Sequence, residues 1–199
     1  MQPEARMTIP SIKGTAFLSA HADVNALLAR RAITRDALEV ALDAEDLRFL
    51  DEKVQPTAWY PIASYHRLLQ LLCDKEAKGD VKAYLIARGE KAGERIAATG
   101  IYQQLDTNAE RLGVRTGRIV ITVAGLIYNF TSWHFEREGA TVGNFSIRVD
   151  DATDFPEAAR FTTQGFIQYA STRIVGRPML STSERPLPSR ILFHVSNAR

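Results

Sequence analysis

The side chains that could carry chemistry in this 199-residue chain are few and lie far apart in the sequence. The histidines are His21, His66, His134 and His194. Together with a single cysteine, Cys73, they do not supply the close-spaced set of four ligands that a structural zinc site needs. Because Cys73 lies in the apolar run of residues 68–73, we expect it to be a buried and unreactive thiol.

The carboxylates Asp150, Asp151 and Asp154 are close enough in sequence to suggest a cation site. Turn formation and helix capping explain them more economically, because Asp154 and Glu157 have the spacing of a capping box. The sequence shows no Ser–His–Asp arrangement, phosphate-binding glycine loop or carboxylate pair at catalytic spacing. We therefore predict neither a metal site nor catalytic residues. An enzyme remains a third hypothesis, behind the two given below.

A Tyr-x-Ser-x-Arg pattern, formed by Tyr169, Ser171 and Arg173, places two hydroxyls and a guanidinium close together in sequence. The pattern falls at the end of a predicted helix. His134 alternates with Trp133 in a predicted strand, so we expect its side chain to face solvent while Trp133 serves as a core or interface anchor.

Arginine is frequent in the last third of the chain. The residues concerned are Arg160, Arg173, Arg177, Arg185, Arg190 and Arg199. Scattered over the rim of a sheet they would form a solvated surface, whereas several converging guanidinium groups would bind a nucleotide or an acidic peptide. The whole chain has a formal charge of only +2, which gives no electrostatic reason to expect nucleic acid as a partner.

Composition is that of an ordinary globular protein, with 45% hydrophobic and 24% charged residues. These values exclude a disordered chain or a collagen-like repeat. We predict a flexible lead-in over residues 1–11 and a single domain over residues 12–199. The N-terminus lacks the apolar core of a signal peptide, and no apolar run approaches the ~20 residues of a membrane helix. The expected location is the reducing cytoplasm.

The first half of the chain, to about residue 130, is predicted to be mainly helical. A strand is predicted over residues 12–18, and three short helices follow it. The first spans residues 21–31, the second begins after its N-cap Thr34, and the third begins at Asp43. Longer helices are predicted over residues 62–76 and 81–99, and a short one over 101–112. In the second long helix Gly89 and Gly93 indicate close backbone packing, because glycine is otherwise unfavourable there.

The second half reads as hairpin, helix and hairpin. Residues 119–130 are β-branched at first but too long for a typical strand, so a buried helix is favoured and a strand stays open. Strands over 132–138 and 143–150 form an antiparallel hairpin, followed by a helix over 156–172 with Asp154 as its N-cap. A closing strand over 191–195 completes an α+β fold, an antiparallel sheet with a block of helices packed on one face.

This order of elements resembles a family of paralogous proteins of about 200 residues and unknown function that is expanded in myxobacteria. The matching segments are residues 12–17, 59–61, 65–69, 88–92, 155–156 and 161–166. They cover most of the chain, and the family has no established catalytic residues to transfer.

The same order is distantly similar to the haem–nitric-oxide-binding domain and to the small-molecule domain of vinyl-4-reductase-type sensors. The resemblance to the haem–nitric-oxide-binding domain implies that Tyr169, Ser171 and Arg173 hold haem propionates. His134 is then the available axial ligand. The arrangement further implies a regulatory domain, often dimeric, with an apolar pocket.

Two functional hypotheses follow from the sequence. The leading one is a non-enzymatic cytoplasmic scaffolding or regulatory domain that binds a partner protein, forms a homodimer and has room for an apolar ligand. The alternative is a sensor domain for haem or another small molecule that uses Tyr169, Ser171, Arg173, His134 and Trp133.

Overall fold

The computed structural model describes residues 9–98, 121–137 and 144–198 of the chain. The first half contains a short strand, three helices, a second short strand and two long helices. Their bounds are β1 Ser11–Lys13, α1 Gly14–Ala29, α2 Arg35–Ala41, α3 Ala44–Asp51, β2 Trp59–Pro61, α4 Ile62–Glu76 and α5 Val81–Ala98. The predicted helix over residues 101–112 lies outside the described residues. None of the described helices is long and apolar enough to span a membrane.

The second half contains a short helix, a hairpin, a long helix and a second hairpin. Its elements are α6 (residues 121–127), β3 Ser132–Arg137, β4 Phe145–Asp150, α7 Glu157–Val175, β5 Met179–Leu187 and β6 Arg190–Asn197. Strands β3 to β6 form an antiparallel sheet in the order β3-β4-β6-β5, and β1 pairs with β2 in a separate ribbon.

One face of the four-stranded sheet is buried. Ile147 and Val149 of β4 alternate with half-exposed residues, as do Phe193 and Val195 of β6, so that one side of each strand joins the core. Helix α7 packs on this side, where Gln164 Nε2 donates a hydrogen bond of 2.8 Å to the carbonyl oxygen of Ser181 in β5. The predicted α+β class, with helices on one face of an antiparallel sheet, is confirmed.

Several local predictions are confirmed. Helix α4 spans Ile62–Glu76 as its periodicity indicated. Thr34 caps α2, since its Oγ1 accepts a hydrogen bond from the amide of Ala37. The amide of Ala83 is bound in the same way by Asp80 Oδ1 at the start of α5.

The predicted strand over residues 12–18 is wrong beyond Lys13, because α1 begins at Gly14. The residues buried in α1 are Gly14, Phe17, Ala20, Val24 and Leu27, which follow helical rather than strand spacing. Gly14 lies against the chain preceding β2: its amide donates to Ala58 O at 2.9 Å. A Cβ at this position would lie 2.0 Å from Gln55 O, so the turn into the helix requires glycine.

The predicted N-cap of α7 is also wrong. The helix begins after Pro156, which fills the N-cap position, and Asp154 makes no capping hydrogen bond there. Glu157 instead binds Arg160 Nη2 at 2.5 Å and Arg185 Nε at 2.7 Å through its two carboxylate oxygens. The ion pairs with these two guanidinium groups replace the expected capping box.

Residues 121–127 are helical, as favoured for the run of 119–130, but the helix is not fully buried. Ala124 is 7% exposed, whereas Leu126 is 67% exposed. The helix therefore presents one side to the core and the other to solvent.

Helices α5 and α7 pack backbone against backbone. A Cβ on Gly89 would lie 1.9 Å from the carbonyl oxygen of Thr162, and a Cβ on Gly165 would lie 1.9 Å from that of Ile86. Gly93, one turn further along α5, lies under the ring of Tyr169. The close packing predicted from Gly89 and Gly93 is confirmed, and Gly165 supplies the matching surface on α7.

An ion pair connects α3 to α4. Arg67 binds both carboxylate oxygens of Asp46, through Nε and through Nη2 at 2.9 Å, and the Asp46 side chain is fully buried. Asp46 Oδ2 also accepts the amide of Asp43, which closes the capping box at the start of α3. Burial opposes ionisation of Asp46, but hydrogen bonds from Arg67 and Ser64 outweigh it and lower the pKa of this carboxyl.

We predict that Gly89→Ala lowers the free energy of unfolding by about 2 kcal/mol, because overpacking against a backbone carbonyl exceeds the gain in helix propensity. The matched control is Gly125→Ala in α6, where an added Cβ has no neighbour within 4 Å among the described residues. This control should stabilise the protein by about 0.5–1 kcal/mol. Urea unfolding of the three proteins measures both effects, and equal stability of the two variants would contradict the packing argument.

We predict that Asp46→Asn costs about 2 kcal/mol at pH 7, where Asp46 is ionised and bound to Arg67. The pKa of Asp46 is lower in the folded state than the value of about 3.9 in an unfolded chain. The unfolded state therefore binds more protons in acid, and the stabilisation is lost as the pH falls through the folded pKa. The difference between wild type and Asp46→Asn should shrink below about pH 4. Asp74→Asn, at an exposed carboxylate on α4, is the control.

Candidate ligand cavity

A cavity of about 560 Å³ lies among helices α1, α4, α5, α6 and α7 and the start of β3. Most of its lining is apolar, and the apolar residues include Ala16, Val123, Ala124, Ile127, Trp133 and Phe166. Leu18 and Arg95, which are exposed, also line it, so that one side of the cavity reaches the surface. Its volume lies within the range of small-molecule sites, about 300–1,000 Å³.

The polar part of the lining is centred on Arg88 of α5. Its Nη1 donates to Asp23 Oδ2 of α1 at 2.7 Å and lies 3.3 Å from the hydroxyl of Tyr84. The Arg88 side chain is 13% exposed, against 46% for Asp23. Among the described residues, no acceptor contacts Nε or Nη2 of Arg88. The guanidinium therefore lines the cavity with donors still available.

A second helix stabilises the position of Arg88. Tyr84 donates its hydroxyl proton to Glu76 Oε2 at 2.7 Å, and Glu76 Oε1 accepts a 2.5 Å ion pair from Arg30. Burial and the bond to Glu76 together raise the pKa of Tyr84 to about 12, so the phenol stays protonated. These hydrogen bonds and the ion pair thus link Arg30 to Arg88 and connect the end of α1, the end of α4 and α5.

Tyr65 of α4 supplies a second polar group to the cavity. The residue is 6% exposed, and its hydroxyl has no hydrogen-bond partner among the described residues. Burial raises the pKa of this phenol, while the nearby cations Arg88 and Arg95 oppose the rise. Tyr65 is therefore a neutral donor inside the cavity. Leaving such a group unpaired is unfavourable unless water or a ligand binds it.

Aromatic rings connect the cavity to the sheet. Trp133 of β3 stacks on Tyr128 at 6.0 Å and on Phe193 of β6 at 6.1 Å, measured between ring centroids. Its indole Nε1 donates to Thr131 Oγ1 at 2.8 Å, so the ring has a fixed orientation. The Tyr128 hydroxyl lies 3.2 Å from Thr163 Oγ1, and burial raises the pKa of Tyr128.

Of the five ligand-binding residues named from the sequence, Trp133 lines the cavity and the other four do not belong to its described lining. Tyr169 packs against Gly93, and Arg173 is exposed. Ser171 is fully buried, and its hydroxyl has no hydrogen-bond partner in the part of the chain that the structure describes. His134 is 46% exposed and lies 3.5 Å from Asp150 on the outer side of the sheet. The structure does not bring these four side chains together.

The arginines of the last third mostly bind carboxylates of the protein itself. Arg160 and Arg185 share Glu157, and Arg190 Nε donates to Asp150 Oδ1 at 2.7 Å. Asp150 also accepts from Arg148, which together with Arg190 lowers the pKa of its carboxyl. Arg173 and Arg177 follow on α7 and the turn after it, and Arg199 lies outside the described residues.

The sequence analysis missed Asp23, Tyr65 and Arg88 as a group. They come from three helices and form no contiguous motif. The available signal was the placement of Tyr65 on the buried face of α4 and of Arg88 directly before the packing glycine Gly89. Both positions predict a polar group close to the core.

Comparison with known proteins shows similarity at the level of structure. No family model and no curated protein matches the sequence. An H-NOX protein from S. oneidensis, solved in the Fe(II)NO ligation state, is similar with a TM-score of 0.60 and 11% identity, covering 94% of this chain and 100% of that one. A point variant of the T. tengcongensis H-NOX domain has a TM-score of 0.59 and 12% identity, covering 93% and 97%.

A further similar structure is a variant H-NOX protein from K. algicida in the unliganded Fe(II) state, with a TM-score of 0.56, 13% identity and coverage of 94% and 97%. The expected similarity to the haem–nitric-oxide-binding domain is thereby confirmed for the fold. Membership of the myxobacterial family and similarity to the vinyl-4-reductase domain stay predictions. The chain shares the fold of H-NOX domains over 93–94% of its length.

Proposed function

We propose that this domain is a small-molecule sensor and that the cavity around Arg88 and Tyr65 is its ligand site. The observation that carries the proposal is a largely apolar cavity into which two mostly buried side chains present donors that have no partner among the described residues. Such a combination of apolar walls and a few polar groups is typical of ligand pockets. The fold shared with H-NOX domains supports a sensor function over the partner-binding hypothesis. The homodimer and the partner protein of that hypothesis stay predictions.

Haem is the group that the structural neighbours suggest, and the described cavity does not fit it as a histidine-ligated cofactor. None of the four histidines belongs to the described lining, and neither does Cys73. Residues 99–120, which the structure does not describe, contain no histidine, cysteine or methionine, and Tyr102 is their one tyrosine. Tyr65 and Tyr128 are the residues of an iron-binding type in the described lining, and the hydroxyl of Tyr128 already lies 3.2 Å from Thr163 Oγ1.

The described lining instead suits an organic molecule held by apolar contact and hydrogen bonds. Trp133, Phe166 and the aliphatic residues of α6 supply the apolar contact. Arg88 and Tyr65 orient the bound molecule.

We predict that the purified protein binds the neutral fluorophore N-phenyl-1-naphthylamine saturably and that Ala92→Phe weakens this binding at least tenfold, about 1.4 kcal/mol. Ala92 is half-buried and lines the cavity, so a phenyl ring there occupies the ligand volume. Ala87→Phe, at an exposed position of the same helix, is the matched control and should leave affinity within about twofold. Fluorescence titration measures all three proteins.

Binding that Ala92→Phe and Ala87→Phe leave equally strong would place the fluorophore outside the cavity and contradict the proposed site. Native mass spectrometry of freshly purified protein then identifies any retained molecule by its mass. A haem adduct, with a Soret band that survives purification, would contradict the exclusion of haem.

A further inference from the structure

We infer that the ligand of this cavity is an amphipathic carboxylic acid, with its carboxylate bound by Arg88 and Tyr65 and its apolar body along Trp133 and Phe166. The inference rests on the proposed function and specifies the chemical class of ligand. It depends on which polar atoms of the cavity are already bound and which are not.

Arg88 provides the main recognition group. A guanidinium has five N–H donors in a planar fork, and two donors on neighbouring nitrogens match the two oxygens of one carboxylate. Asp23 and Tyr84 contact Nη1 alone. The Nε and Nη2 side of the fork has no acceptor among the described residues, and this is the side that binds carboxylates in the side-on geometry.

Tyr65 provides an independent observation that also indicates a ligand. Its side chain is more than nine-tenths buried, it lines the same cavity and its hydroxyl has no described partner. Because the phenol stays protonated, it donates a hydrogen bond, as an anionic ligand requires. Tyr65 of α4 and Arg88 of α5 both line the cavity, and the positive charge of Arg88 opposes the rise that burial causes in the pKa of Tyr65.

The charges of the described lining favour an anion. Arg88 and Arg95 contribute two positive charges, whereas Asp23 contributes one negative charge. Arg95 is exposed and donates to Ser19 Oγ at 2.9 Å, so it lies toward the opening, while Arg88 is the more deeply placed cation. A neutral oxygen acceptor would bind these free donors of Arg88 more weakly than a carboxylate does, because its hydrogen bonds are not charge-assisted on both sides.

Because of Asp23, the inference predicts opposite effects on acid affinity for substitutions at the two residues of the ion pair. Its carboxylate neutralises Arg88 in the structure and lies 2.7 Å from Nη1, so it repels a second carboxylate at the same guanidinium. Removing the charge of Arg88 should weaken binding of an acid, whereas removing the charge of Asp23 should strengthen it. A purely structural role of this ion pair would make both substitutions act in the same direction.

The test compares decanoic acid with decan-1-ol, which have the same chain length and differ at the head group, as competitors of N-phenyl-1-naphthylamine at pH 7.5. For wild type we expect the acid to bind at least tenfold more tightly than the alcohol. Arg88→Gln should weaken the acid at least tenfold and leave the alcohol within twofold. Tyr65→Phe should weaken the acid about three- to tenfold, and Asp23→Asn should strengthen it.

Lys91→Gln, at an exposed cation of the same helix that does not belong to the described lining, is the matched control, and it should change the affinity for the acid less than threefold. If Arg88→Gln does not fold, Tyr65→Phe and Asp23→Asn still decide the question, because each retains the guanidinium. Equal affinity for acid and alcohol in wild type overturns the inference while the fluorophore titration leaves the proposed function intact. Failure of the fluorophore to bind at all overturns both.

Discussion

The contact between the backbones of α5 and α7 is the constraint on which the rest of the structure depends. Gly89 and Gly165 each face a carbonyl oxygen of the opposite helix, so no side chain separates the two helices at this point. The cavity opens beside this contact, with Arg88 and Ala92 on one wall and Phe166 on the other. Because packed interiors yield little, the separation of these walls is set by the backbone rather than by the lining side chains.

Much of the fold could be predicted because its signals are local. The apolar stripe of Ile62–Glu76 and the hydroxyl of Thr34 act within a few residues of the chain, and both gave correct elements. Prediction failed at element boundaries that are determined by contacts with residues distant in the sequence. Gly14 ends β1 because its place against Gln55 leaves no room for a side chain, and Glu157 binds arginines of α7 and β5 instead of capping its helix.

In the site, too, local sequence patterns were a poor guide, because its residues come from different helices. Tyr169, Ser171 and Arg173 form a visible motif, but on a helix with about 100° between successive residues Ser171 points away from the other two. Accordingly Ser171 is fully buried while Arg173 is exposed. Asp23 and Arg88 come from different helices and become partners only when α1 and α5 pack, so no local pattern marks them.

The cavity also couples the free energy of unfolding of this protein to any molecule that binds there. It lies within the core, and Trp133 belongs at once to its wall and to the aromatic stack on the sheet. An occupant that binds only the folded chain shifts the folding equilibrium by RT ln(1 + [L]/Kd), about 2.7 kcal/mol at a hundredfold excess over Kd. With such an occupant, the steady-state amount of the protein in a cell, which proteases set through the unfolded fraction, would rise with the concentration of the ligand.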